Sequence, residues 1–175
     1  MTRLYISGPV TGIEDDNRPA FDEAWERLNA AGFMSCSPHC FVRSGERHDV
    51  AMRSCINELT SHFWGYGKTD GYYDGVALLP GWEHSEGAKL ERAVAEACGI
   101  PVKTVDEWLE EARVRKLRSE CHKLFDRTWN TKDERKDRYV RLSRKLGITL
   151  GECHFSTMSA ELLERSLEIL KEEAR

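Results

Sequence analysis

The sequence predicts an α/β fold: a small parallel-sheet, three-layer domain over residues 1–105, with an all-α C-terminal appendage over residues 106–175. Three observations predict it. Short apolar runs and amphipathic segments alternate through the first 105 residues, the order that builds a parallel sheet with right-handed crossovers. Glycines or prolines punctuate the ends of these runs. From Asp106 onward strand signals vanish and charge density rises.

Residues 3–8 (RLYISG) read as a buried strand ending in a glycine turn. Pro19 opens a helix to about Ala31, with Phe21, Ala24, Trp25, Leu28 and Ala31 at the helical period and Gly32 closing it. Residues 33–37 form a second strand, followed by a loop carrying Pro38, His39, Gly45 and His48. Residues 50–61 are helical, with Met52, Ile56 and Leu59 on one face. The stretch FWGYGKTDGYY, residues 63–73, is glycine- and aromatic-rich and reads as a long loop. DGVALL, residues 74–79, is the clearest strand. A helix from about Ser85 to Cys98 follows, with Cys98 on its apolar face as core, and Gly99 stops it. PVKTV, residues 101–105, is the fourth strand. In the tail, helices are expected at about 106–129, 133–146 and 159–173.

Composition excludes several classes. Hydrophobic residues at 40% and charged residues at 32% describe a globular chain and not a disordered one. The net charge of −4 argues against nucleic acid as the partner. No apolar run approaches the roughly 20 residues of a membrane span, and the N-terminus has no signal-peptide pattern, so a cytoplasmic location is expected. The six cysteines are then reduced thiols. There is no CxxC pair. The sets Cys36/His39/Cys40/His48 and Cys121-His122/Cys153-His154 do not make convincing metal sites, since neighbours on a helix point about 100° apart. No metal and no cofactor are expected.

Chemistry converges on one edge of the predicted sheet, because ligands of parallel sheets sit beyond the carboxyl ends of the strands. After the first strand comes Gly8-Pro9-Val10-Thr11-Gly12, where glycine lets a ligand approach the backbone. After the third comes Gly81-Trp82-Glu83-His84-Ser85-Glu86-Gly87. Ser85 is a suitable N-cap, and the amides beyond it suit an anion. Glu91 lies about 9 Å further along that helix, a spacing that can separate a phosphate from a sugar-reactive carboxylate. Each segment alone also fits an ordinary turn, an ordinary cap and a solvated glutamate.

Taken together, YISGPVTG, MRxxI, DGVALLPGWExSxGAxLE and GIPV resemble a family of small phage and bacterial proteins. That family is related to the nucleoside 2-deoxyribosyltransferases and the deoxynucleoside monophosphate N-glycosidases. The resemblance covers residues 3–105 and implies a flavodoxin-like or Rossmann-like sheet. It implies that Glu91 is the catalytic nucleophile, capturing the anomeric carbon as retaining glycosidases do. It places Tyr5 beside the sugar, Gly8 and Pro9 in the ligand turn, and Ser85 with Gly87 at the phosphate. A serine at position 85 favours a nucleoside 5′-monophosphate over a bare nucleoside. Neighbouring subunits complete such pockets, so a homo-oligomer is implied.

The chain departs from the pattern in three places. Cys55 stands where relatives carry an aspartate that handles the leaving base's proton. Thr11 stands where the monophosphate hydrolases carry an arginine, and Arg53 is the candidate replacement charge. Residues 63–73 are an insertion, in which Trp64 and Tyr66 are candidates for a base-stacking lid, while Trp82 is a candidate pocket wall. The tail, CHxLFDxxW to RYVRLSRKLGI to ECHFSTM, resembles the helical half of a phage domain usually preceded by a zinc ribbon. Its expected core is Leu117, Leu124, Phe125, Trp129, Tyr139, Leu142, Leu146, Ile148 and Leu167. The basic run from Arg135 through Lys145, which includes Arg138, reads as a solvated helix face because acidic residues are interleaved.

The function expected is therefore an N-glycosidase or (deoxy)ribosyltransferase acting on a nucleoside 5′-monophosphate or related ribosylated nucleotide. The alternatives are a phage protein that sequesters a nucleotide or ADP-ribose-type signal without turnover, and an interaction module whose tail docks a partner.

Overall fold

A computed structural model describes residues 1–61, 72–127 and 130–174. The chain divides into two compact units, Met1–Leu109 and Glu110–Arg175. The first holds four parallel strands, β1 (Arg3–Ser7), β2 (Met34–Cys36), β3 (Gly75–Leu78) and β4 (Val102–Thr104), in the order β2-β1-β3-β4. Helix α1 (Arg18–Ala30) joins β1 to β2, α2 (His48–Leu59) precedes β3, and α3 (Glu86–Ala97) joins β3 to β4. The expected α/β layering is present, with each element within a few residues of its predicted range. A short 3₁₀ turn at Pro38–Cys40 lies in the stretch read from sequence as loop, and another at Trp82–His84 leads into α3.

Strand alternation assigns side chains to the two faces of the sheet. Tyr5, Val76 and Leu78 pack with Leu59 and Ala95 of α2 and α3. On the opposite face Gly75 abuts Trp108, which also meets Phe33. The chain runs from β1 outward to β2, and from β3 outward to β4 on the other side. The order therefore reverses between β1 and β3, the point where open α/β sheets leave a crevice for ligand.

Two core assignments are corrected. Trp25 is 46% exposed, because it stands one residue on from Ala24, at the edge of a stripe that Phe21, Ala24 and Leu28 fill. Cys98 is exposed because α3 ends at Ala97 and Cys98 only caps it, beyond the stretch that packs on the sheet.

The second unit contains most of α4 (Val105–Asp126), with α5 (Lys132–Leu146) and α6 (Ala160–Glu173). Thr131 and Glu134 form a reciprocal capping box on α5, and Ser159 caps α6. Of the expected core, Phe125, Leu142, Leu146 and Leu167 are buried, while Leu117, Leu124, Tyr139 and Ile148 are partly so. Trp129 lies outside the described residues. Cys121, Cys153, Phe155, Met158, Leu163 and Leu170 complete the cluster. Arg138 corrects the reading of a solvated basic face. It is 9% exposed, stands over the Phe125 ring and pairs with Glu173 at 3.4 Å. No helix among the described residues is long and apolar enough to cross a membrane.

Candidate active site

A cavity of about 760 Å³ opens beyond the carboxyl ends of β1 and β3, a volume within the usual range for small-molecule sites. One wall is the turn after β1, Gly8 to Gly12. A second is the start of α3, from His84 to Ala88. A third comes from α2 and the loop before it, including Arg43, His48, Met52 and Cys55. Glu91 reaches the cavity from α3.

Glu91 is 4% exposed, and hydroxyls from β1 hold both of its carboxylate oxygens. Tyr5 donates its O–H to Oε1 at 2.7 Å, and Ser7 donates its hydroxyl to Oε2 at 2.5 Å. Tyr5 and Ser7 are two apart on a strand, so both side chains leave the same face. That alternation is the signal that could have singled out Ser7 beside Tyr5 in the motif YISG. Both residues are fully buried behind the glutamate, whereas Glu91 and Cys55 border the open volume.

The electrostatics follow from burial. Desolvation pushes the Glu91 carboxyl above its ordinary pKa, and the Ser7, Tyr5 and Cys55 hydrogen bonds oppose it only in part. Desolvation also raises the Tyr5 phenol well above its usual value, helped by the neighbouring Glu91 charge. The same two causes push the Cys55 thiol up to about 12. Around Glu91, then, stand three groups that keep their protons at neutral pH.

At the other end of the cavity Ser85 caps α3, accepting the Ala88 N–H at 3.2 Å. The first helical amides, of Glu86 and Gly87, lie where a helix leaves its donors unpaired. Gly87 has a packing role as well, since a Cβ there would meet Met52 Sδ at 3.0 Å. Gly8 is constrained more tightly: its Cβ would lie 2.7 Å from that of Leu79. Arg43 lines the same cavity, and its guanidinium has no ion-pair partner among the described residues.

The rim is tied together by short-range bonds. Asp15, Asp16 and Asn17 in succession take left-handed backbone, φ 51°, 52° and 57°, a conformation that Asp and Asn tolerate better than most residues. This turns Asn17 Nδ2 to donate to Pro9 O at 2.8 Å. Asp16 then accepts from Ser44 at 2.7 Å, while its carbonyl lies 3.0 Å from His39 Nε2.

The structure thus brings Gly8, Pro9, Ser85, Gly87 and Glu91 to one cavity, with Tyr5 behind its floor. Two sequence-predicted members are elsewhere. Arg53 is exposed beside Ile56 and Leu90 because it lies two residues, about 200° of helix, from the inward-facing Cys55. Trp82 packs beside the Tyr5–Tyr73 cluster with the Arg92 guanidinium 4.7 Å above its ring. Trp64 and Tyr66 lie outside the described residues. Arg43, His39 and His84 are cavity residues that sequence reasoning did not select. They sit on loops and turns without a periodicity to orient them.

Residues 2–104 match a family described as a domain of unknown function (DUF4406). Residues 98–173 match one described as a zinc-finger-containing domain. No curated protein and no solved structure matches the chain. The second unit does not fit a zinc ion. Cys121 and Cys153 are fully buried in the apolar cluster, His122 packs edge-on against Phe155, and no three metal-binding side chains gather among the described residues.

Proposed function

The chain belongs to the DUF4406 family, whose match spans more than half of it, and from that premise we propose that it is an N-glycosidase or (deoxy)ribosyltransferase. Its substrate is a nucleoside 5′-monophosphate or a related ribosylated nucleotide. The observation that carries this reading is Glu91: a nearly buried carboxylate at the floor of a nucleotide-sized cavity, with two hydroxyls aiming it. The sequence resemblance to nucleoside 2-deoxyribosyltransferases supports the same assignment.

In this mechanism Glu91 attacks the anomeric carbon as the bond to the base breaks, giving a glycosyl-enzyme ester that water or another base resolves. The carboxylate stabilises the oxocarbenium-like charge where little water screens it. Tyr5 and Ser7 restrict the carboxylate to one orientation, which lowers the entropic cost of reaching the sugar. The 5′-phosphate sits at the start of α3, held by Ser85, the Glu86 and Gly87 amides and Arg43. Gly8 and Pro9 let the sugar lie against the backbone.

Incubation with a panel of nucleoside monophosphates, followed by chromatography, is expected to reveal free base. Glu91→Gln is expected to lower its release by about a thousandfold or more. Release that survives the substitution refutes the nucleophile. A second reading, sequestration without turnover, draws on Cys55: a thiol borders Glu91 where a stronger acid would assist the leaving base. It predicts retained, intact nucleotide in the same chromatogram.

A further inference from the structure

We infer that the preferred substrates are nucleotides whose base is already cationic at the glycosidic nitrogen, N-ribosylpyridinium nucleotides, because among the described residues the groups bonded to the buried carboxylate are two hydroxyls and a thiol, with no carboxyl or imidazole among them to protonate a neutral base. This rests on the glycosidase reading above and names its substrate class.

The groups bonded to Glu91 come from two of the elements packed against α3. β1 contributes Tyr5 and Ser7, and α2 contributes Cys55. All three are neutral hydrogen-bonding groups, and no cation pairs with Glu91 among the described residues. The remaining carboxylates of the cavity wall are engaged away from this floor. Glu86 pairs with Lys89 at 2.7 Å, Asp16 accepts from Ser44, and Glu46 accepts from the Arg47 amide. The protons of Cys55 and Tyr5 are held too tightly for either group to act as an efficient acid near neutrality.

The leaving group decides what such a floor can do. With a pyridinium, a Glu91 oxygen forms the bond to C1′ while the C1′–N bond breaks. The electron pair of that bond passes to the ring nitrogen, which becomes neutral and needs no proton. Water then attacks C1′, the carboxylate departs, and the water's second proton goes to solvent. A neutral purine or pyrimidine would instead leave as an anion unless an acid protonated it, and that assistance is typically worth about 100-fold or more. A substrate cation also supplies the positive charge that the buried carboxylate lacks, favouring its ionised, nucleophilic form.

The test uses the full chain with nicotinamide mononucleotide on one side and AMP, CMP, dGMP and dCMP on the other, at equal concentration. Base release is read by chromatography. Nicotinamide is expected at least about 100-fold faster than any neutral base. Cys55→Asp, with folding checked by its melting curve, is expected to narrow that ratio by speeding the neutral nucleotides. Neutral nucleotides cleaved as fast as the pyridinium overturn the inference and leave the glycosidase reading standing. That is also the result if a cavity histidine, His48 or His84, serves as acid. No base from either group ends both. The wild-type ratio decides the matter even where the aspartate variant fails to fold.

Discussion

At position 91 a carboxyl group gives up hydration and receives two hydroxyl hydrogen bonds in return. Burial is the larger effect, so the folded-state pKa lies above the unfolded one. The sign for stability follows from proton counting. Between the two values the native state binds more protons than the unfolded chain. This group therefore destabilises the fold progressively as pH climbs from the ordinary carboxyl range through the raised value. Glu91→Gln keeps the shape and removes the charge. Its melting temperature relative to wild type is expected to rise as pH is raised through the range from the ordinary carboxyl value to the raised one. A difference that stays constant across that range would show that Glu91 does not carry its charge in a desolvated site. Cys55 obeys the same rule in a higher window, keeping its proton up to about 12. Glu91, the nucleophile proposed above, is thus also a residue whose charge costs the fold stability.

Among the elements, β3 shows how narrowly the sheet face is packed. A Cβ on Gly75 would collide with Cζ2 of Trp108, whose ring N–H donates to Val76 O at 2.8 Å. Gly75→Ala must push the indole away, breaking that bond and opening the packing beneath Leu4 and Phe33. A loss of about 1–3 kcal/mol is expected, read as a lower urea midpoint. An unchanged midpoint would mean that the indole moves freely. The helices were more legible than this contact. The 3.6-residue period exposed α1, α2 and α3, and Ser85 announced the start of α3 by its cap chemistry. The limit of that reading is Trp25, which has the right spacing but falls at the margin of the buried stripe. The left-handed run Asp15–Asn17 has no such signature, since composition marks a turn without stating its hand.

For the whole molecule, the change in sequence character at Asp106 does not coincide with the division between Leu109 and Glu110. Val105 and Trp108 are buried, and Trp108 plugs the first unit against Gly75 and Phe33. A fragment ending at residue 109 is expected to melt cooperatively. One ending at residue 105 should lose about 3–5 kcal/mol, the usual cost of deleting a buried tryptophan. Equal stability of the two fragments, measured by thermal or urea unfolding, would show that Trp108 contributes nothing to the first unit. The sequence by itself determined the layering, the strand and helix order and the place of Glu91 on the helix after the third strand, because these depend on local periodicity, caps and motifs. The tertiary structure alone decided that Ser7 shares Glu91 with Tyr5, that Cys55 faces them, that Arg53 turns outward and that Arg43 lines the cavity. Residues 84 and 86 positions apart meet at that carboxylate. Contacts at that separation follow from how the crossovers close on the sheet, which no local pattern records.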